Sequence, residues 1–144
     1  MSQKDKNIQV KIEQKISKPV EDIFDAIINP QKMSQYFVTA ASGPMIEGTA
    51  PTWTFADVGV KLAINVKKIK EKQLILFEWP ASGIMTEVEI MLEPVSKTST
   101  LIKIRESEWN MDIEGANRAM QQTQGWTDML LCMKAFLEYG INLR

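Results

Sequence analysis

The sequence predicts an α+β fold in which a strongly curved antiparallel sheet wraps around one long C-terminal helix. Between residues 112 and 139, five apolar residues and one threonine recur at alternating steps of four and three, which places them on one face of a helix. They are Ala119, Thr123, Trp126, Leu130, Met133 and Leu137. Most of the preceding chain alternates apolar and polar residues with a period of two, which is typical of half-buried strands. Because the sheet needs a cover and only one long helix is available, a sheet curved around that helix is the simplest arrangement.

The N-terminal quarter is predicted to hold one strand and two short helices. Residues 1–7 form a polar extension without the apolar stretch of a signal peptide. Residues 8–16 alternate as a half-buried strand. Pro19 suits the first turn of a helix, and the residue before Pro30 is where that helix is expected to stop. A second short helix follows, with Tyr36 on its buried side.

The middle of the chain is predicted to be an antiparallel meander that begins after a loop over residues 38–48. Further alternating segments are separated by turn signals, and strands joined by short turns pair with their neighbours. The predicted strands cover residues 52–55, 58–66, 74–79 and 84–92, and a last strand begins near Thr100. With 144 residues and no internal repeat or linker, the chain is expected to form a single domain over residues 1–144.

Composition excludes several classes of function. The 17 basic and 18 acidic residues give a net charge of −1, so neither nucleic acid nor an acidic membrane is predicted as a partner. No segment is long enough and apolar enough to predict membrane insertion. Cys132 is the only cysteine, so an internal disulfide is impossible and a cytoplasmic location is expected. The absence of histidine removes histidine-dependent nucleophiles, bases and metal sites, and we expect neither a metal nor a cofactor.

The chain resembles the START-like, Bet v-type (SRPBCC) superfamily, which has the helix-grip fold. Within it, the sequence is similar to the branch named for the activator of heat-shock-protein-90 ATPase homologue. The resemblance covers about residues 8–140 and depends on the order and spacing of short segments rather than on any single one. These segments are residues 16–26, Asn29-Pro30, Tyr36-Phe37, Gly48, Trp53, Phe55, Val66, Ile69, residues 74–79, Gly125-Trp126, Leu130, residues 133–138 and Gly140.

The resemblance implies a seven-stranded antiparallel sheet gripping the C-terminal helix, with a hydrophobic cavity between them. Members of the superfamily bind lipids, hormones, polyketides or other small apolar molecules; a few are cyclases or dehydratases, and some bind a chaperone. This chain departs from the family's usual proline-rich and glycine-rich loop after the second helix. Its replacement, residues 38–47, predicts a different entrance to the cavity.

The candidate ligand-binding residues are the aromatic and aliphatic side chains predicted to face the helix, together with one acid and inward residues of the helix itself. They are Trp53, Phe55, Ile64, Phe77, Trp79, Val88, Ile90, Ile102, Ile104, Glu106, Met120, Thr123 and Trp126. The alternative interpretation is that the apolar members are simply the core, because a buried aromatic side chain packs in the same way whatever the function. The tryptophans favour a binding site, since a buried indole N–H needs a partner.

Glu106 and Glu108 are the acids that would face inward if the last strand keeps its alternation. A carboxyl group facing an apolar pocket could donate a proton or orient a ligand. Alternatively the strand bulges near its end, and both acids then meet water or pair with Arg118 or Lys103. The second interpretation is favoured because charged residues are seldom buried without a partner.

Two features of the long helix remain outside this list. Cys132 lies off the main apolar stripe without a basic partner, so we interpret it as a small buried hydrophobe rather than a nucleophile. Gly125 lowers helix stability by about 1 kcal/mol relative to alanine. It therefore predicts either a strand that approaches the helix closely or a bend.

Three functions stay open at this point. The first is binding of a small hydrophobic or amphipathic molecule. The second is a cyclase or dehydratase that uses a pocket carboxylate such as Glu106. The third is a protein-interaction module of the co-chaperone kind, with a chaperone or a second copy of the chain as partner.

Overall fold

The computed structural model of the protein describes residues 7–144. The predicted polar extension therefore lies outside the described residues, apart from Asn7, which begins the first strand. In chain order, the elements are β1 (Asn7–Ile16), α1 (Val20–Ile28), α2 (Pro30–Met33), β2 (Ala40–Ala41), β3 (Thr52–Phe55), a 3₁₀ turn (Ala56–Val58), β4 (Val60–Ala63), β5 (Asn65–Lys70), β6 (Leu74–Trp79), β7 (Thr86–Ser96), β8 (Ser99–Asn110) and α3 (Ile113–Tyr139).

The strands form two antiparallel sheets. The larger sheet has the order β1-β8-β7-β6-β5, and the smaller has the order β2-β3-β4. The predicted α+β fold with a long C-terminal helix on an antiparallel sheet is thereby confirmed, with eight strands instead of seven. One reason for the difference is that the predicted strand over residues 58–66 is divided. Gly59 has a left-handed φ of +68° at the end of the 3₁₀ turn, and Ile64 separates β4 from β5.

Helix α3 begins and ends at residues suited to those positions. The Asp112 side chain accepts a hydrogen bond of 2.7 Å from the Gly115 N–H, which satisfies one of the free donors of the first turn. Gly140 closes the helix with a φ of +67°, as the sequence predicts. The buried residues of α3 are Gly115, Ala119, Trp126, Met129, Leu130 and Met133.

Two helix residues are placed differently from the prediction. Thr123 is exposed, and its hydroxyl donates to the carbonyl of Ala119 at 2.8 Å on the helix surface. Met120 has 62% of its surface exposed, so its predicted position in the pocket wall is wrong. The inward face of the helix instead passes through Gln122, one residue before the predicted Thr123, because the true stripe runs from Ala119 through Gln122 to Trp126.

Aromatic rings fill the space between the sheets and α3. Trp53 packs edge-on against Phe77 and Trp79, with ring centroids 5.5 and 5.8 Å apart. Trp79 lies 5.1 Å from Trp126, and Phe37 joins the cluster at 5.8 Å from Trp126. Edge-on and tilted contacts of this kind stabilise aromatic clusters beyond the area they bury. The centre of the domain is therefore a packed core, and space for a cavity between sheet and helix is left only away from it.

Candidate functional site

Glu106 lies on β8 and has none of its surface exposed. Its inward position follows the alternation of Ile102 and Ile104, as the strand phase predicts. The bulge considered as the alternative is also present, but one step later. Between the pairs Val10–Glu106 and Ile8–Trp109, β8 has one residue more than β1, so the alternation reverses after Glu106.

The reversal places the two acids in different environments. Trp109 becomes the buried residue beyond the bulge, and Glu108 is exposed. Glu108 accepts a hydrogen bond of 2.9 Å from the Asn7 side chain at the surface. The favoured interpretation, in which both acids meet water, is therefore correct for Glu108 and wrong for Glu106, which lies inward as the strand phase indicated.

The Glu106 carboxylate accepts hydrogen bonds from four neutral side chains. Its Oε1 accepts from Trp126 Nε1 at 2.7 Å and from Gln122 Nε2 at 3.0 Å. Its Oε2 accepts from Thr86 Oγ1 at 2.5 Å and from Trp79 Nε1 at 3.0 Å. Each oxygen thus has two close donors, which matches the acceptor capacity of an ionised carboxylate. Among residues 7–144 no lysine or arginine forms an ion pair with it.

These bonds join four elements at one point. Trp79 ends β6, Thr86 begins β7, Glu106 lies on β8, and both Gln122 and Trp126 belong to α3. A buried carboxylate without such donors would lower stability strongly, because the charge would be removed from water without compensation. The cluster therefore fixes the long helix against three strands and holds both indole rings in a set orientation.

A cavity of about 410 Å³ lies beside this cluster, where the small sheet and α3 diverge. Its walls are mostly apolar and aromatic. The lining residues are Phe37, Phe55, Val58, Val60, Leu62, Trp79, Ala81, Gln122, Gly125 and Trp126. Val58 is 69% exposed and Val60 is 37% exposed, so the cavity opens to solvent on the side of β4. Its volume is within the usual range for small-molecule sites.

The sequence-predicted site residues separate into four groups in the structure. Phe55, Trp79 and Trp126 line the cavity. Glu106 lies behind the wall formed by Gln122 and the two indoles. Seven others are part of the packed core: Trp53, Ile64, Phe77, Val88, Ile90, Ile102 and Ile104. Met120 and Thr123 lie on exposed parts of α3.

Several lining residues were absent from the predicted set. Val58, Val60 and Leu62 belong to the inward phase of a predicted strand, and that alternation was the available signal. Gln122 carried no signal, since a polar residue next to an apolar stripe usually faces water. Gly125 was predicted to allow a close contact or a bend. A Cβ atom built on Gly125 would instead meet nothing within 4 Å, so this glycine leaves space at the cavity wall.

Cys132 is a poor candidate for nucleophilic chemistry in this structure. Burial is the main cause that raises the pKa of its thiol, and Asp128 raises it further, while the Arg144 guanidinium opposes them. The thiolate is the reactive form, so a raised pKa makes the sulfur less reactive. Within the described part of the chain no cluster of three or more acidic or cysteine side chains is placed to hold a metal ion. No helix of residues 7–144 combines the length and apolar character needed to cross a bilayer.

The curved sheets, the helix they hold and the cavity at their open end define a START-like domain with the helix-grip fold. The chain belongs to the family described as activator of Hsp90 ATPase homolog 1-like protein, whose model matches residues 17–138. The predicted family is thereby confirmed. No curated protein matches the sequence.

Solved structures share the fold over nearly the whole chain. A protein from Staphylococcus saprophyticus is 25% identical with a TM-score of 0.83, over 95% of this chain and 96% of that one. DynU16, from the dynemicin biosynthetic locus, is 23% identical with a TM-score of 0.83; the match covers 94% of this chain but only 49% of DynU16. The Aha1 dimer from Colwellia psychrerythraea is 20% identical with a TM-score of 0.79, over 92% and 98% of the two chains.

Proposed function

We propose that the protein binds a small hydrophobic or amphipathic molecule in the cavity between the small sheet and α3. The observation that carries this proposal is an open cavity of about 410 Å³ whose lining is aromatic and aliphatic except for Gln122. Burial of apolar ligand surface supplies affinity at such a site, and a few polar groups orient the ligand.

The exposed part of the wall supports the same proposal. Val58 and Val60 line the cavity and remain 69% and 37% exposed to water. A ligand that covers them would remove this apolar surface from solvent, at about 25 cal/mol for each Å² that is buried. The biosynthetic locus of DynU16 is in keeping with small-molecule chemistry on this fold.

The geometry favours binding over catalysis. A cyclase or dehydratase using Glu106 would need that carboxylate to exchange a proton with the substrate. Its two oxygens are already occupied by four donors, and Gln122 and the two indoles stand between it and the cavity. A co-chaperone role rests on the family name, and a homodimer is a property of the Colwellia protein. We find no specific observation in residues 7–144 that favours either for this chain.

Gly125 provides a direct test of the proposed site. Gly125→Leu should fill the cavity from the helix side, because a side chain at this position meets open space. Leucine is also a better helix former than glycine by roughly 1 kcal/mol, so the variant should be at least as stable as the wild type. We expect the wild type to bind the neutral fluorescent probe N-phenyl-1-naphthylamine and Gly125→Leu to lose that binding.

The matched control is Gly125→Ala, which gains helix propensity but adds only one methyl group. It should keep probe binding while its melting temperature rises. Equal binding by the wild type and Gly125→Leu, with both proteins folded, would place the probe elsewhere and refute the proposed site. Absence of binding by the wild type to this probe and to a panel of neutral lipids and sterols in native mass spectrometry would refute the function itself.

A further inference from the structure

The polar atoms of the cavity wall restrict which ligands the proposed site accepts. Three polar side-chain groups lie in that wall: the indole N–H groups of Trp79 and Trp126 and the amide of Gln122. Both indole N–H groups donate to Glu106, so neither is free to donate to a ligand. The Gln122 Nε2 also donates to both oxygens of Glu106, at 3.0 and 3.3 Å.

The orientation of the Gln122 amide follows from its partner. A carboxylate can only accept hydrogen bonds, so the amide nitrogen must face Glu106 and the amide oxygen must face away. Among residues 7–144, no side-chain or backbone group donates a hydrogen bond to Gln122 Oε1. The cavity wall therefore offers a ligand the Gln122 amide oxygen as an acceptor, whereas both indole N–H donors are already used.

The buried negative charge of Glu106, behind the cavity wall, also favours a ligand that donates a hydrogen bond. Glu106 is fully buried and is balanced by neutral donors rather than by a cation. Charges in a poorly solvated interior interact much more strongly than they do in water. An anionic ligand group near Gln122 would be repelled, whereas a hydroxyl or amino donor would be attracted.

The body of the ligand is suggested by the rings that surround this acceptor. Trp79 and Trp126 lie at an interplanar angle of 32°, and Phe37 and Phe55 pack on each other across the same wall at 5.2 Å. Aromatic ligands gain ring-to-ring contacts with such walls in addition to burial. We infer that the ligand is an aromatic molecule that carries a hydroxyl or amino donor and no negative charge, and that fatty acids and other anionic amphiphiles are excluded. This inference rests on the proposed function and specifies its ligand.

Three phenanthrenes of almost the same shape test it at neutral pH: 9-phenanthrol, 9-methylphenanthrene and phenanthrene-9-carboxylate. Binding is measured by quenching of tryptophan fluorescence and checked by thermal shift. A purely apolar cavity would favour the methyl compound, because a hydroxyl loses its hydration there without a partner. We expect the reverse order for the wild type, with the phenol binding about fivefold more tightly than the methyl compound and the carboxylate ~10-fold more weakly or worse.

Two variants test whether the Gln122 amide oxygen and the Glu106 charge cause the expected order of binding. Gln122→Met removes the acceptor, so the methyl compound should become the tighter ligand of the pair. Glu106→Gln removes the buried charge, so the disadvantage of the carboxylate relative to the methyl compound should shrink. Glu108→Gln is the matched control, because it neutralises an exposed acid two residues away on the same strand and should leave the wild-type order unchanged.

The outcomes separate this inference from the proposed function. Binding of the methyl compound as tightly as the phenol, or of the carboxylate as tightly as the methyl compound, overturns the inference while the cavity remains a binding site. If none of the three phenanthrenes binds, the inference is overturned, and so is the claim that the site takes an aromatic ligand. Because the order is measured on the wild type, the inference is decided even where Glu106→Gln does not fold.

Discussion

The Tyr36 side chain supplies a hydrogen-bond donor that the helical backbone lacks at Pro30. The carbonyl of Ala26 would normally accept from the N–H four residues later in a helix, but that residue is Pro30, which has no N–H. The Tyr36 hydroxyl donates to this carbonyl at 2.9 Å, and the ring is 1% exposed. The phenol therefore satisfies a buried acceptor at the junction of α1 and α2.

Tyr36→Phe is predicted to lower the free energy of unfolding by about 1–2 kcal/mol at neutral pH, because the Ala26 carbonyl loses its partner. The difference should depend on pH. Burial raises the pKa of the Tyr36 phenol above its usual value of 10.0. The folded state then holds the proton more tightly than the unfolded state, so the wild type should lose about 1.4 kcal/mol for each pH unit above 10 until the phenol ionises in the folded state.

Urea denaturation of both proteins at neutral pH and at pH values on either side of 10 checks this. Tyr36→Phe lacks the titration, so the gap between the two proteins should narrow as pH rises, while other alkaline effects are common to both. A gap that stays constant across this range would show that Tyr36 is not buried as a neutral donor.

Glu106 shows how far strand alternation can predict a site residue. The phase of β8 placed its carboxylate inward, and the structure agrees, against the favoured expectation that a charged residue meets water. Its four donors were not predictable, since they come from β6, β7 and α3, and only the packed fold brings them to one point. Gln122 in particular looks like a surface residue on the helix until its partner is known.

Two glycines of α3 have opposite roles at the scale of the element. Gly115 is buried where the helix starts, and a Cβ there would overlap the carbonyl oxygen of Asn110 and lie 2.9 Å from its carbonyl carbon. Gly125 faces open space almost three turns further along the helix. Only the first glycine is required for the close approach of α3 to the end of β8.

Gly115→Ala is predicted to destabilise the protein by roughly 1–3 kcal/mol or more, because backbone atoms of Asn110 must move to admit the methyl group. Gly125→Ala, with the same change in composition in the same helix, should stabilise it by up to about 1 kcal/mol. Thermal and urea denaturation of the two variants measure the contrast. If Gly115→Ala were as stable as Gly125→Ala, the start of α3 could not lie against β8 as described.

The division between β4 and β5 explains one limit of the sequence at this scale. The alternation from Val58 to Val66 predicts one continuous strand, and the inward phase it indicates is correct for Leu62, Ile64 and Val66. The alternation gives no sign of the left-handed Gly59 or of the break at Ile64. Because of these two features, Val60 and Leu62 belong to the small sheet instead of the larger one. Val58 and Val60 still face the cavity, but no other part of the described protein covers them fully.

At the scale of the whole molecule, the predicted hollow exists but lies at the edge. The sequence shows which side chains are apolar and therefore expected to be buried. It does not show where a cavity lies, because a cavity is the small volume that remains when the buried side chains do not fill the space between the sheets and the helix. Here Trp53, Phe77 and their neighbours fill the centre, and the remaining space is left where the small sheet diverges from α3. The family and fold were therefore predictable from the sequence, whereas most of the lining was not.

The central claim is that a neutral aromatic ligand lies between β4 and α3. It is tested most directly by intermolecular NOEs between 9-phenanthrol and methyl-labelled protein. The account predicts NOEs to the methyl groups of Val58, Val60 and Leu62 and none to Val88 or Ile90, which are buried in the core. NOEs confined to Leu131 or Ile141, which are exposed on and beyond the far half of α3, would contradict it.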